Sequence, residues 1–221
     1  EDAMGCPSEM EFAVTLGTPN PLPASFGLLQ VRPMVVSDEQ VELGLDGIAP
    51  ERILCVSGQV LGNGILKEIF DVVYVKPETF NAAQTPLIAK EVDRINAALR
   101  AKDRSCLLIG PGRWGSSDPW LGVPVTWGQI NRARAIVEVA LPGMNVDPSQ
   151  GSHFFQNITS LRVGYFTIGL DTPGARVDWA WLDGQDAVSE TELLRHVRLA
   201  SPLEVRIDGR TGAGVILKPG D

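Results

Sequence analysis

The chain has little of what usually announces a function. Among 221 residues there are only 3 cysteines, 2 histidines and 6% aromatics. Cys6, Cys55 and Cys106 are odd in number and far apart, so they make neither a zinc-ligand pattern nor a disulfide framework. Buried thiols in a reducing, cytoplasmic setting are the expectation. Positive charge is also scarce. Lys plus Arg is 19 against 27 for Asp plus Glu, a formal charge of −8. Phosphate backbones and anionic membranes both demand surplus basic residues, so neither nucleic acid nor a membrane surface is an expected partner. No basic patch interleaves with the few rings, which also argues against single-strand binding. No apolar run approaches the ~20 residues that span a bilayer, and no basic-then-apolar leader is visible.

What is present is an ordinary folding composition, 44% apolar and 21% charged. The length fits one large or two small domains. The first residue is Glu1, not Met, and a strand pattern begins within a dozen residues. We read the chain as the continuation of a longer polypeptide.

Residues 10–16 alternate, with Met10, Phe12, Val14 and Leu16 facing one way and Glu11, Ala13 and Thr15 the other. Residues 26–36 form a second strand-like run, and the proline-rich stretch between them makes a hairpin the economical reading. Residues 37–51 read as a linker, giving a boundary between segment 1–36 and segment 52–221. Strands are expected over 52–61 and 65–76, joined by Gly62-Asn63-Gly64. Thr85-Pro86 opens a helix ending near Lys102, with Leu87, Ile88, Val92, Ile95 and Leu99 as its apolar stripe. Further strands are expected at 106–110, 135–141, 163–168 and 177–181. Helices are expected at 149–160 and at 190–199, the latter with a capping box from Ser189 and Glu192. A hairpin around Asp208-Gly209-Arg210 closes the chain. Interleaved strands and helices predict an α/β or mixed α+β fold.

Three groups of residues carry candidate chemistry. On the first hairpin, Glu11 offers a carboxylate, Gln30 an amide oxygen and Arg32 a guanidinium. Oxygen ligands of this kind suit Mg²⁺, and an arginine pairs with phosphate through parallel hydrogen bonds. Spacing alone favours an ordinary solvated strand face. The run Cys6-Pro7-Ser8-Glu9-Met10-Glu11-Phe12-Ala13-Val14, followed by Phe26-Gly27-Leu28-Leu29-Gln30-Val31-Arg32-Pro33-Met34, resembles the end of the nucleotide-binding domain of phosphoenolpyruvate synthases and pyruvate phosphate dikinases. In that family the domain is an ATP-grasp fold whose last strands carry an acidic residue and a Gln-x-Arg-Pro signature. The resemblance implies that ATP and Mg²⁺ are the cofactors, that Glu11 and Gln30 take the metal positions, and that Arg32 takes the phosphate position. It covers about 36 residues and implies an upstream nucleotide-binding domain of the same polypeptide as partner. Residues 107–122 and 149–168 resemble the C-terminal region of large bacterial synthase- or dikinase-like proteins, a region without an assigned chemistry.

The second group is Gly110-Pro111-Gly112-Arg113-Trp114-Gly115-Ser116-Ser117-Asp118. Gly110 and Gly112 permit close backbone approach, and Arg113 and Ser116 add groups suited to an oxyanion. It is neither a Walker loop nor a dinucleotide fingerprint. The competing reading is a tight loop with Trp114 and Trp120 packed beneath it. The third group is Gly151-Ser152-His153. It echoes the phosphohistidine run of the resembled family, with His153 as the catalytic position, although Phe154 and Phe155 replace small residues there. Alternatively, His153 and Ser152 share an anion pocket with Arg113. His196 is expected on a helix surface. Trp179 and Trp181 are expected on one strand face.

Two functions follow. One is the C-terminal part of a synthase- or dikinase-like phosphotransferase, inactive by itself. The other is a non-catalytic anion-binding or homodimer-forming module.

Overall fold

The computed structural model describes residues 8–15, 25–33, 41–44, 47–118, 120–141, 144, 161–170 and 172–220. The chain divides into two compact units, Glu1–Asp38 and Glu39–Asp221.

The first unit is an antiparallel hairpin of β1 (Ser8–Thr15) and β2 (Ser25–Pro33). Its register shifts between Glu11 and Phe12, where β2 carries one extra residue. This β-bulge changes which side chains share a face. Phe12 pairs with Leu28 and Val14 with Phe26, and the Phe12 and Phe26 rings lie 5.1 Å apart.

The second unit is mainly β, and the sheet dominates where an α/β layering was expected. Its strands are β3 (Ile53–Ser57), β4 (Val60–Leu61), β5 (Gly64–Val75), β6 (Cys106–Pro111), β9 (Ala133–Val139), β10 (Gly164–Ile168), β11 (Arg176–Val177), β12 (Ala187–Glu190), β13 (Leu194–Asp208) and β14 (Ala213–Leu217). They form one sheet in the order β11-β3-β14-β13-β5-β6-β9-β10-β4, with β12 beside β13. The pairs β5–β6, β6–β9 and β9–β10 are parallel and the others antiparallel. A separate small parallel pair joins β7 (Arg113–Trp114) to β8 (Gly122–Val123). The sheet curls into a half-barrel. Gly58 and Gln59 are all that separates β3, near one end of the strand order, from β4 at the other. The Thr167 amide donates to Gln59 O at 2.9 Å, and the Val60 amide to Gly212 O at 3.1 Å. The fold is a β-rich α+β arrangement.

One long helix, α1 (Thr85–Ala101), crosses from β5 to β6. It ends at Ala101 with Lys102 as C-cap, close to the expected limit, but it starts one residue early: Gln84 is the N-cap, and Thr85, the expected cap, is its first residue and donates Oγ1–H to Ala82 O in the preceding turn. Ile88, Ala89, Val92, Ile95 and Leu99 are buried, whereas Leu87 of the expected stripe is 47% exposed. Each large apolar side chain buried here is worth about 1.5–3 kcal/mol. The stripe packs on Val73, Leu108 and Ile136 of the sheet, together with Trp114 and Ile130. A second cluster fills the other face with Leu54, Val72, Leu107, Val137, Phe166 and Ile216, closed by Leu182 of the short helix α2 (Trp179–Asp183).

Four local expectations are corrected. Residues 190–199 do not form a helix. They end β12 and begin β13, because β13 finds pairing partners in β5, β12 and β14. Ser189, the expected cap, lies in β12, and Thr191 Oγ1 accepts the amides of Leu193 and Leu194 in the turn between the two strands. The strand expected at 177–181 stops at Val177, and Asp178 then caps α2 through the Trp181 amide at 3.0 Å. Gly62-Asn63-Gly64 does not close a hairpin, since β4 pairs with β10 and β5 with β13 and β6. Part of the stretch read as a linker is docked: Val41 is buried, and Leu43 O accepts Arg206 Nη1 at 2.8 Å.

Candidate functional site

On the hairpin, Glu11 stands directly opposite Gln30, and Arg32 follows two positions along β2, opposite Glu9. The bulge makes this possible. In a regular strand Phe26 and Leu28 would share a face with Gln30, since all are even-numbered positions. The extra residue moves them beside Met10, Phe12 and Val14 and leaves Gln30 with Glu11. Both Glu11 and Gln30 are exposed. The apolar face is open as well: Met10 is 64%, Phe12 56% and Phe26 65% exposed. One carboxylate and one amide oxygen fit the hard-ligand preference of Mg²⁺, but they supply only two of its six positions. Among the described residues no group of three or more His, Cys, Asp or Glu is placed to hold a metal.

In the second unit Glu138 and the 110–118 loop lie where the parallel strands end. Gly110 of β6, Glu138 of β9 and Thr167 of β10 lie in one row across the sheet. Ligands of open parallel sheets bind at this carboxyl edge. The 110–118 loop leaves β6 here, and β9 ends here at Val139.

Glu138 is fully buried, and sequence reasoning missed it. Its signal was a lone acid within the apolar run Ala135-Ile136-Val137-Glu138-Val139. Oε1 accepts the Trp114 amide at 2.8 Å, while Oε2 is shut off from solvent without a hydrogen bond of ordinary geometry. Burial pushes the carboxyl up to about 7, against the opposing pull of Tyr165, the Trp114 amide and Arg113. A buried acid poised near neutrality marks a functional-site candidate.

The 110–118 loop is tightly built. Gly112 donates to Val139 O at 3.0 Å, Arg113 to Leu121 O at 2.9 Å and Gly115 to Val123 O at 2.9 Å. With the Trp114 amide on Glu138, these amides are all engaged inside the protein, so an oxyanion would be met by side chains. Ser116 Oγ bonds Asp118 O at 2.9 Å, and Arg113 is half-buried. Gly110 and Gly112 serve packing. A Cβ on Gly110 would run into the Trp114 indole, and one on Gly112 would come within 2.6 Å of Met144 Sδ and 2.7 Å of Leu121 O. Gly112 also has a φ of +64°. Trp114 lies beneath the loop as the sequence allowed, but Trp120 is 67% exposed. Ser152 and His153 lie outside the described residues.

His196 is not on a helix surface. It sits on β13, 6% exposed, with Nε2 2.7 Å from Asp71 Oδ1. Arg104 completes the cluster, its Nε 2.8 Å from Asp71 Oδ2 and its Nη2 on Oδ1. Burial opposes ionisation of Asp71, but the hydrogen bonds from His196 and Arg104 outweigh it and hold the carboxyl below its usual range. The cluster lies at the start of β6, opposite Cys106, and so at the far end from Glu138. Burial pushes the Cys106 thiol up to about 12 and the Cys55 thiol higher still, so neither is a nucleophile. No family model, no curated protein and no solved structure matches this chain.

Proposed function

We propose that this chain is the C-terminal part of an ATP- and Mg²⁺-dependent phosphotransferase resembling phosphoenolpyruvate synthases and pyruvate phosphate dikinases. In this reading β1 and β2 close a nucleotide site whose other wall belongs to the polypeptide upstream of Glu1, and residues 39–221 form an accessory body. The observation that carries it is the cross-strand pair Glu11–Gln30, two positions from Arg32, on a hairpin whose opposite apolar face is exposed. Two strands alone are marginal in water, and an uncovered face of this kind calls for a covering lobe.

The Mg²⁺ ion, when bound, neutralises charge on the phosphates. Glu11 and Gln30 would hold it with their oxygens, and Arg32 would bind phosphate. Phosphoryl transfer rests mainly on such positioning and charge stabilisation, so three side chains without their upstream counterpart support no turnover. Calorimetric titration of Mg-ATP into this chain is expected to give no heat. In the longer polypeptide, Glu11→Ala and Gln30→Ala are each expected to abolish ATP-dependent phosphoryl transfer and to leave the melting temperature unchanged. Micromolar binding by the chain alone, or an upstream reading frame without a nucleotide domain, overturns the proposal. So does a concentration-dependent dimer of the longer polypeptide that Phe12→Glu dissociates, since a second copy would then cover the face.

A further inference from the structure

The contacts around Glu138 form a mechanical connection that the phosphotransferase reading does not use. The Trp114 amide is held by Oε1, and the Trp114 indole, 1% exposed, fills space left open by Gly110, which stands opposite Glu138 in the sheet. Trp114 lies near the start of the loop that follows β6. Arg113 and Trp114 pair with Gly122 and Val123, and Gly112 packs against Met144, which bridges to Leu141. The carboxyl therefore adds to the backbone hydrogen bonds of Gly112, Arg113 and Gly115 a fastening of the loop at Trp114.

We propose that Glu138 is a proton-operated latch: with a proton on its carboxyl it holds the 112–118 segment around Trp114 shut on the end of the sheet, and losing that proton loosens that segment. The charged or titratable groups that act on it are Tyr165 from β10 and Arg113 from β7. Oε1 is occupied as an acceptor by the Trp114 amide, so in the latch the proton belongs to the solvent-excluded Oε2, beside Tyr165. An ionised carboxylate here is 0% exposed, so its charge is desolvated in spite of Tyr165, Arg113 and the Trp114 amide, and it is rehydrated only if the loop lifts. The shut state binds the proton more tightly than a hydrated, open one, so rising pH must favour opening.

Amide hydrogen exchange on the whole chain, corrected for the intrinsic rate, tests this between pH 5.5 and 8. With a shut-state value of about 7 against an ordinary 4.5, the opening constant at the Trp114 amide should rise roughly 25-fold over that range. Trp114 should exchange faster than the Leu108 amide in the middle of β6 at every pH. Glu138→Gln keeps an acceptor for the Trp114 amide and cannot ionise, so it should abolish the rise. An unchanged rise in Glu138→Gln overturns the latch. Equal exchange at Trp114 and Leu108 also overturns it, because the loop would then open only with the whole body. If Glu138→Gln does not fold, carbon-detected titration of the Glu138 carboxyl decides, and a midpoint below pH 5.5 refutes the proposal.

Discussion

Replacing Gly110 by Ala asks whether the glycines of the 110–118 loop serve packing or a ligand. The added methyl would meet Trp114, with Cε2 at 3.1 Å, Cη2 at 3.2 Å and Cζ2 closer still. The indole cannot yield easily. It is 1% exposed and packed in the cluster under α1, and its own amide is tied to Glu138. Overpacking a rigid site of this kind costs about 1–3 kcal/mol. If the ring is expelled instead, the loss approaches the ~3–5 kcal/mol of a buried Trp→Ala change. About 3 kcal/mol of destabilisation is therefore expected in urea unfolding. The control is a double-mutant cycle with Trp114→Ala. Once the ring is gone the methyl has room, and Ala is no worse than Gly in a strand, so Gly110→Ala should then cost less than about 0.5 kcal/mol. Additive costs would show that Trp114 does not explain the glycine. A Gly110→Ala variant as stable as the parent would remove the packing argument and return Gly110 to ligand approach.

Two further expectations concern buried charge. Asp71→Ala leaves Arg104 and His196 without their shared carboxylate, and breaking a buried pair in this way costs about 3–5 kcal/mol by urea unfolding. Because the Asp71 carboxyl is held below its ordinary 3.8, its stabilising contribution is present above that value and is lost as pH falls below it. Asp71→Asn should remove this part of the acid limb, and an unchanged acid limb would place the sensitivity elsewhere. Glu138 has the opposite sign. Its folded value is raised from 4.5 to about 7, so its favourable contribution is complete below about pH 4.5 and is lost as pH rises to 7. The shift corresponds to about 3 kcal/mol, and Glu138→Gln should flatten that part of the stability profile.

Much of the chain's local order is legible from sequence, and its long-range pairing is not. The limits of α1 follow from Pro86 and the apolar stripe. The closing hairpin follows from Asp208-Gly209-Arg210, where Asp208 Oδ1 accepts the Arg210 amide. β13 is different. Leu194, His196, Val197 and Leu199 are all buried because β13 is an interior strand, which erases the period-two alternation that identifies a strand. What remained looked helical, and the pairing with β5 overrode it. The same blindness hid His196, whose partner Asp71 is 125 residues away. Trp179 and Trp181 failed for a local reason: Asp178 is a good N-cap, and α2 begins there. At the candidate sites, composition could mark Gly110, Gly112 and Arg113 but not say where their amides point. Glu138 was visible only as an acid out of place.

The hairpin shows how one residue decides what a motif can do. The tripeptide Gln30-Val31-Arg32 puts two polar side chains at alternate positions, and the preceding Phe26-Gly27-Leu28 puts two apolar ones at the same parity. A strand without irregularity would mix them, and no face would be fit either to be covered or to bind polar groups. The bulge at Leu28–Leu29 opposite Phe12 and Glu11 changes the parity once. N-terminal to it, β2 matches its apolar residues to Phe12 and Val14. C-terminal to it, Gln30 meets Glu11. A bulge leaves a residue unpaired and locally disrupts the ladder, and Leu29 remains 63% exposed. A hairpin serving only as a solvated ribbon gains nothing from that arrangement. One that must offer an apolar face to a covering lobe and a polar face to a ligand requires it. The segregation is therefore the structural property that a role at the edge of a larger site would need.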